Sequence, residues 1–287
     1  MFNQFELVNS LYAYLLLALF ALAVGSLLNV IIYRLPIMLR TEWEKDCRHL
    51  LNLPPGSYEK LNLFLPRSFC PFCKTMISAC NNIPVLSYCL LRGRCRHCGK
   101  RISLRYPLVE LLSCLLALYA AWHFGFNLTL LFALLFIWFL TSLFFIDLNH
   151  YLLPDSLTLG LLWLGLIANS QSLFTSLTDA VLTAATAYLA LWLLITLFYW
   201  VTGKIGMGNG DFKLFAAFGA WFGWTQLPLI LFLASITGAI TGIAYLKVNK
   251  KTKDTPIPFG PFLCVAGVVS LFWGKSIIAW YLEIIFF

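Results

Sequence analysis

Asp147 and Asp211 are the residues of this chain best placed to do chemistry. Asp147 closes an uncharged run that begins at Leu111, and Asp211 ends Gly206-Met207-Gly208-Asn209-Gly210-Asp211, a glycine-rich turn between two apolar stretches. Ionisable groups at membrane depth are costly and rarely face lipid, so each marks a candidate functional site. Two carboxylates held close together cannot both ionise cheaply and share a proton. One then activates water as a base while the other protonates the carbonyl oxygen or the leaving amine, hydrolysing a peptide without a metal or a covalent intermediate. Each residue has a plainer reading. Asp147 could snorkel to the lipid interface, although the end of a helix disfavours an anion. Asp211 could simply cap the helix that follows it, but capping does not call for three glycines. Glycines at 206, 208 and 210 allow positive φ and close approach to an extended strand.

A second constellation is Cys70-Pro71-Phe72-Cys73 and Cys95-Arg96-His97-Cys98, two C-x-x-C knuckles 21 residues apart. Four thiolates at this spacing suit a tetrahedral, four-cysteine zinc site on a zinc-ribbon plan. With all four positions filled the metal is structural and supplies folding energy to a loop too polar to build its own core. A redox motif needs only one such pair, and a reducing compartment disfavours disulfides. His97 is read as a bystander, and Cys47, Cys80, Cys89, Cys114 and Cys264 as ordinary thiols.

The elements that must hold these groups are membrane helices. The 287 residues are 61% hydrophobic and 11% charged, with mean hydropathy +0.84, against about 25% charged residues in soluble domains. Apolar runs near or above the roughly 20 residues needed to span hydrocarbon recur along the chain. The first, Leu7 to Tyr33, is too long for a signal peptide and has no basic residue before it. Arg34 and the helix-stopping Pro36 are expected to end it. The run 107–146 breaks at His123-Phe124-Gly125-Phe126-Asn127 into two spans. Residues 156–178 and 180–201 give two more around a turn at Asp179, 212–246 gives two with a break at 223–228, and 259–281 gives the last. About eight spans result: an all-α polytopic membrane protein with a cytoplasmic zinc-ribbon-like loop. The expected divisions are a first helix over 1–33, a zinc-binding loop over 34–106 and a seven-helix core over 107–287.

Charge supports this order. The stretch from Arg34 to Arg105 holds 13 of the 20 Lys and Arg residues and four acids. Between membrane spans such a block reads first as the positive-inside signal and second as attraction to anionic lipid; a nucleic-acid partner is not expected. Alternation then puts the loops at 147–154, 202–211 and 247–257 on the same cytoplasmic side, with Lys204, Lys247, Lys250, Lys251 and Lys253. The opposite turns near 124, 175 and 225 contain no Lys or Arg. Smaller expectations follow. Asp155 is an N-cap before it is a site residue, Glu110 pairs with Arg105 or lines a substrate entrance, and Gly25, Ser26 and Asn29 share one helix face, suited to close packing and an interhelical hydrogen bond.

Taken together these segments resemble the type IV prepilin peptidases, over nearly the whole chain. The resemblance is carried by Gly25-Ser26-Leu27-Leu28-Asn29-Val30 through Arg34-Leu35-Pro36, by Arg67-Ser68 before Cys70, and by Asn82-Ile83-Pro84. Leu91-Arg92-Gly93-Arg94-Cys95 and Ile102-Ser103-Leu104-Arg105-Tyr106-Pro107-Leu108-Val109-Glu110 extend it. Asp147 with Leu153-Pro154-Asp155, then Gly208-Asn209-Gly210-Asp211-Phe212-Lys213, and Pro258-Phe259-Gly260-Pro261-Phe262 complete it. It implies Asp147 and Asp211 as the catalytic pair, in a bacterial inner membrane with the catalytic side facing the cytoplasm. It implies aspartyl cleavage of type IV prepilins and type II secretion pseudopilins after a leader glycine, followed by N-methylation of the new N-terminal residue from S-adenosylmethionine. No glycine-rich nucleotide fingerprint is visible, so the methyl-transfer half rests on the resemblance alone, with Glu110 and Lys213 as its candidate residues. Two rival readings stand beside it: a transporter relaying protons or ions through Asp147 and Asp211, and a zinc-loop assembly scaffold without catalysis. Paired repeats with discontinuous helices, the usual transporter pattern, are not evident.

Overall fold

A computed structural model describes residues 4–54, 56, 58, 61–203, 206–248 and 257–286. Eight α-helices are found among them: α1 (Gln4–Leu50), α2 (Leu86–Leu90), α3 (Arg105–Phe124), α4 (Leu128–His150), α5 (Asp155–Asn169), α6 (Leu177–Thr202), α7 (Asn209–Val248) and α8 (Gly260–Phe286). Extended pairing among the described residues is limited to two isolated bridges, Phe69 with Met76 and Arg94 with Arg101. Helices α1, α3, α4, α6, α7 and α8 are long and apolar enough to cross a membrane, and α5 is a shorter apolar helix. The protein is an all-α polytopic membrane protein.

The chain forms two compact units, Met1–Gly125 and Phe126–Phe287. In the first, α3 packs along α1. Pro36 does not end α1, which continues to Leu50. Proline costs a helix one hydrogen bond and crowds the carbonyl of the preceding turn, yet α1 runs through it without interruption. The basic stretch is therefore helical over its first part. Arg34, 5% exposed, reaches from α1 to the carbonyls of Asn62 (2.8 Å) and Pro66 (2.6 Å) and fastens the following loop to the helix.

In the second unit α7 packs against α5, α6 and α8, and α4 packs against α8 and α5. The 40 residues of α7 are two helical limbs joined at Gly223, whose φ of 66° and ψ of −166° are non-helical. Only glycine adopts this geometry without strain, so the expected break at 223–228 falls on its first residue. Asn169 ties the same end of the unit together. Its Nδ2 donates to the carbonyls of Ala220 and Trp221, and its Oδ1 accepts from the amides of Phe174 and Thr175. The turn between α5 and α6 thus lies at 170–176 rather than around Asp179, which sits inside α6. Ser176 caps that helix, accepting from the Asp179 amide at 3.1 Å, an arrangement that sequence hydropathy alone does not distinguish from a turn.

The core between these helices is aromatic. Trp221 is fully buried, donates from Nε1 to the Leu161 carbonyl at 2.8 Å, and packs against Phe136 and Phe174 at centroid distances of 4.7 and 5.3 Å. Burying such rings with their one polar atom satisfied gives each a large apolar contact at no hydrogen-bond cost. This packing fixes α4, α5 and the first limb of α7, the elements that carry the two aspartates and the turn between them.

Candidate active site and metal centre

Asp147 lies in the last turn of α4, which closes with Tyr151 in the left-handed conformation and its amide donating to the Asp147 carbonyl. A carboxylate at that end is opposed by the helix's own carbonyls. A second helix compensates: the amide of Gly260, the first residue of α8, donates to the Asp147 carboxylate. The positive end of α8 therefore faces this acid. The approach depends on glycine, because a Cβ on residue 260 would stand 2.6 Å from Asp147 Oδ2.

Asp211 is not the N-cap. Helix α7 begins at Asn209, and Asp211 sits in its first turn with its amide donating to the Gly208 carbonyl at 3.1 Å. Both carboxylates are buried, Asp147 at 6% and Asp211 at 8% exposure, and lie within electrostatic reach of each other. Asp211 Oδ1 is buried with no hydrogen-bond partner among the described residues. Each acid thus stands at a helix N-terminus that favours its charge, in surroundings too dry to favour two charges at once.

The glycines of the turn act through space rather than through backbone conformation. None of Gly206, Gly208 and Gly210 has a positive φ. A Cβ on Gly210 would meet Leu153 Cβ at 2.7 Å, and one on Gly260 would meet Leu153 Cδ1 at 3.1 Å. Leu153, itself buried, is wedged between these glycines beside Asp147. Two residues on, Asp155 is the first helical residue of α5, with Pro154 at the cap position. Its carboxylate receives Lys213 Nζ at 2.6 and 2.7 Å. The short stretch 151–154 and the first turns of α5 and α7 are in this way locked around the pair. Sequence reasoning placed Gly260, Leu153 and Lys213 within motifs of the family resemblance but missed their contacts at the site. A Gly-Pro step opening an apolar run was the available signal for the first. Buried Cys264, one turn along α8, also lies within electrostatic reach of both acids.

The cysteine tetrad assembles in the first unit. The sulfurs of Cys70, Cys73, Cys95 and Cys98 all lie within 4.8 Å of one another, with Cys70–Cys98 at 3.9 Å and Cys73–Cys95 at 4.0 Å. Tetrahedral Zn–S bonds of about 2.3 Å put sulfurs about 3.8 Å apart, so these residues fit zinc. The two knuckles repeat one design. Cys70 and Cys95 each donate their amides to the carbonyl five residues on, at Thr75 and Lys100, and each accepts four residues on, from Lys74 and Gly99. Lys74 and Gly99 both have positive φ.

Hydrogen bonds from the Thr75 side chain and amide hold the Cys73 thiol down to about 6, and the amides of Cys98 and His97 lower that of Cys95. Cys98 goes the other way, up to about 11, because burial and its three sulfur neighbours outweigh the Lys100 amide. Thiolates packed this closely require a cation to ionise together. His97 is outside the cluster. Cys47, Cys89, Cys114 and Cys264 are free thiols; the side chain of Cys80 and all of Lys204, Lys250, Lys251 and Lys253 lie outside the described residues.

Glu110 does not pair with Arg105. Its Oε2 accepts from the Val85 amide at 2.7 Å, across 25 residues of sequence. The expected face of α1 does form: a Cβ on Gly25 would stand 2.7 Å from Glu110 Cα, and Asn29 Nδ2 donates to the Tyr106 carbonyl at 3.0 Å.

Comparison with known proteins finds family matches along both halves of the chain. Residues 19–124 match the bacterial peptidase A24 N-terminal domain, and residues 134–243 match the type IV leader peptidase family. A prepilin leader peptidase/N-methyltransferase of Legionella pneumophila is 63% identical over 272 residues, covering 94% of this chain and 95% of that protein. Proteins of the same name from Stutzerimonas stutzeri and Pseudomonas aeruginosa are 52% and 49% identical, covering 96% and 92% of each chain. No solved structure matches the chain. With both halves matched in order and relatives this similar along almost the full length, the chain belongs to the type IV leader peptidase family.

Proposed function

We propose that this protein is a membrane aspartyl endopeptidase that removes the leader of type IV prepilins and of type II secretion pseudopilins after glycine, and then methylates the new N-terminus. The observation that carries the peptidase reading is the meeting of buried Asp147 and Asp211 at the N-termini of α8 and α7. One carboxylate, ionised, takes a proton from water as it attacks the scissile carbonyl. The other, protonated, donates its proton to the developing oxyanion. The first then passes the proton taken from water to the leaving amine, while the gem-diol returns its own proton to the second as the carbonyl re-forms. Asp211 Oδ1, which has no hydrogen-bond partner among the described residues, is the atom free to hold the shared proton. The amides of Gly260 and Gly208 fix the orientation of the two groups.

Zinc on Cys70, Cys73, Cys95 and Cys98 is structural and organises the segment between α1 and α3. S-adenosylmethionine supplies the methyl group. The basic charge of 34–105 supports a cytoplasmic placement of that segment in a bacterial inner membrane, where a substrate's leader is reached while its hydrophobic helix stays in the bilayer. Purified protein in detergent, mixed with a prepilin, should release the leader and leave a product one methyl group heavier when S-adenosylmethionine is added. An uncleaved prepilin in a folded, zinc-loaded preparation would overturn the peptidase reading.

A further inference from the structure

The seam between α1 and α3 holds polar groups that neither peptide cleavage nor the metal uses. Glu110 is 8% exposed and Asn29 is 3% exposed, both on apolar helices. A carboxylate at such a depth normally faces a cation, yet among the described residues Glu110 is met only by neutral donors, the Val85 amide and the Ser26 hydroxyl. Asn29 is fixed by its Nδ2 bond to the Tyr106 carbonyl, which leaves Oδ1 buried without a partner. Arg105, the first residue of α3, has its Nε buried and likewise unpartnered.

These groups are neighbours along the helix. The Tyr106 carbonyl that receives Asn29 is the acceptor one helical turn before Glu110, and Arg105 adjoins it. Gly25 brings α1 close enough that a built Cβ would stand 2.7 Å from Glu110 Cα. Glu110 lies only about 7 Å along the axis from the start of α3, near the polar segment from which a water-soluble ligand would enter.

The set comprises a buried carboxylate met by neutral donors, a buried acceptor with no donor among the described residues, and a guanidinium stacked on the Tyr106 ring at 5.2 Å with its Nε unbonded. A ligand that satisfies all three carries a cation and a carboxylate together. We propose that Glu110, Asn29 and Arg105 bind the amino-acid end of the methyl donor, with the carboxylate of S-adenosylmethionine at Arg105 and its positive charge at Glu110 and Asn29 Oδ1. The assignment rests on the methyl-transfer reading above. The shared chemistry at Glu110 is a cation, which the donor offers both as a sulfonium and as an α-ammonium.

The test is equilibrium binding of radiolabelled S-adenosylmethionine, and of the neutral thioether S-adenosylhomocysteine, to the full-length zinc-loaded protein. Glu110→Gln should weaken donor binding by about tenfold or more, as loss of a charge-assisted bond does, while prepilin cleavage and zinc content stay at wild-type levels. A loss confined to the donor identifies the sulfonium as the group at Glu110, and an equal loss for the thioether identifies the ammonium. Arg105→Gln serves where Glu110→Gln disturbs folding, since its Nε holds no bond to break; it should weaken both ligands. Unchanged affinity in a folded Glu110→Gln and in Arg105→Gln would overturn this site alone. Wild-type protein that cleaves prepilin but binds neither ligand would overturn the methyl-transfer reading with it.

Discussion

A methyl group on residue 260 would stand 2.6 Å from Asp147 Oδ2 and 3.1 Å from Leu153 Cδ1. Gly260→Ala should therefore push the carboxylate off the α8 N-terminus without unfolding the bundle. Misplacement by about 1 Å can lower a rate by about a hundredfold, so cleavage of a prepilin should fall by roughly ten- to a hundredfold with membrane abundance unchanged. Asp147→Asn and Asp211→Asn should each lower cleavage by at least about a thousandfold, since groups sharing one proton fail together. Cleavage near the wild-type rate in either Asn variant would exclude the two-carboxylate mechanism. At this scale the sequence is most legible where chemistry imposes an unusual residue: a carboxylate ending an apolar run, or four cysteines at ligand spacing. It is least legible where a partner comes from far away. Asp147 needs the amide of residue 260, and Glu110 takes the amide of Val85 in place of the guanidinium five residues before it.

Among the elements, the knuckle loop and the first turns of α5 and α7 are held by different forces. The knuckles have two short bridges and two cation-π contacts, Lys74 over Phe69 at 5.4 Å and Lys100 over Phe72 at 4.5 Å, but little apolar core. Metal binding there is folding energy. Protein purified without chelators should carry about one zinc per chain, and Cys73→Ser or Cys98→Ser should lose it and open the 61–104 region to limited proteolysis. Metal analysis finding no zinc in the wild type would contradict this.

The Lys213–Asp155 pair is partly exposed, with side-chain exposures of 26% and 60%, and such pairs contribute about 0–1 kcal/mol. Asp155→Asn should then cost cleavage a few-fold at most, and exchanging the two charges should restore part of that loss. A loss in Asp155→Asn as deep as that in Asp211→Asn would make it a member of the reacting set. Helix ends are the elements that sequence reveals least well. Pro36 reads as a stop, whereas α1 absorbs it and runs on to Leu50; Asp179 reads as a turn, whereas Ser176 caps the helix that contains it. Both are local signals overridden by packing or by a cap, and hydropathy carries neither.

For the whole molecule, the order of helices in the second unit makes the side of the membrane that the acids face a testable property. The end of α4, the starts of α5, α7 and α8 and the Lys213–Asp155 pair are gathered by Leu153, Gly210 and Gly260. The turn at 170–176 meets the Gly223 bend at the other end of these helices, through Asn169 and through Thr175. The folding back of α7 at Gly223 makes the helix order agree with the charge pattern: the turns near 124, 175 and 225 contain no Lys or Arg, while Lys213 and Lys247 stand at the aspartate end. Lys275, in the distal half of α8, is the exception. Helix α5 and the first limb of α7, at 15 and 14 residues, are about 22 Å long against a hydrocarbon thickness of about 30 Å. The end that carries Asp147 and Asp211 is thus recessed, or the bilayer thins to meet it, and either brings the acids level with the start of a substrate's membrane helix. Asn149 and Asn209, both exposed beside the acids, are the reporters. Cysteines placed there, in a background whose native thiols are blocked first, should react with a membrane-impermeant maleimide in inverted vesicles and not in intact cells. Labelling of either from outside intact cells would put the acids on the far side from a cytoplasmic leader, and the encounter with substrate drawn above would have to be abandoned.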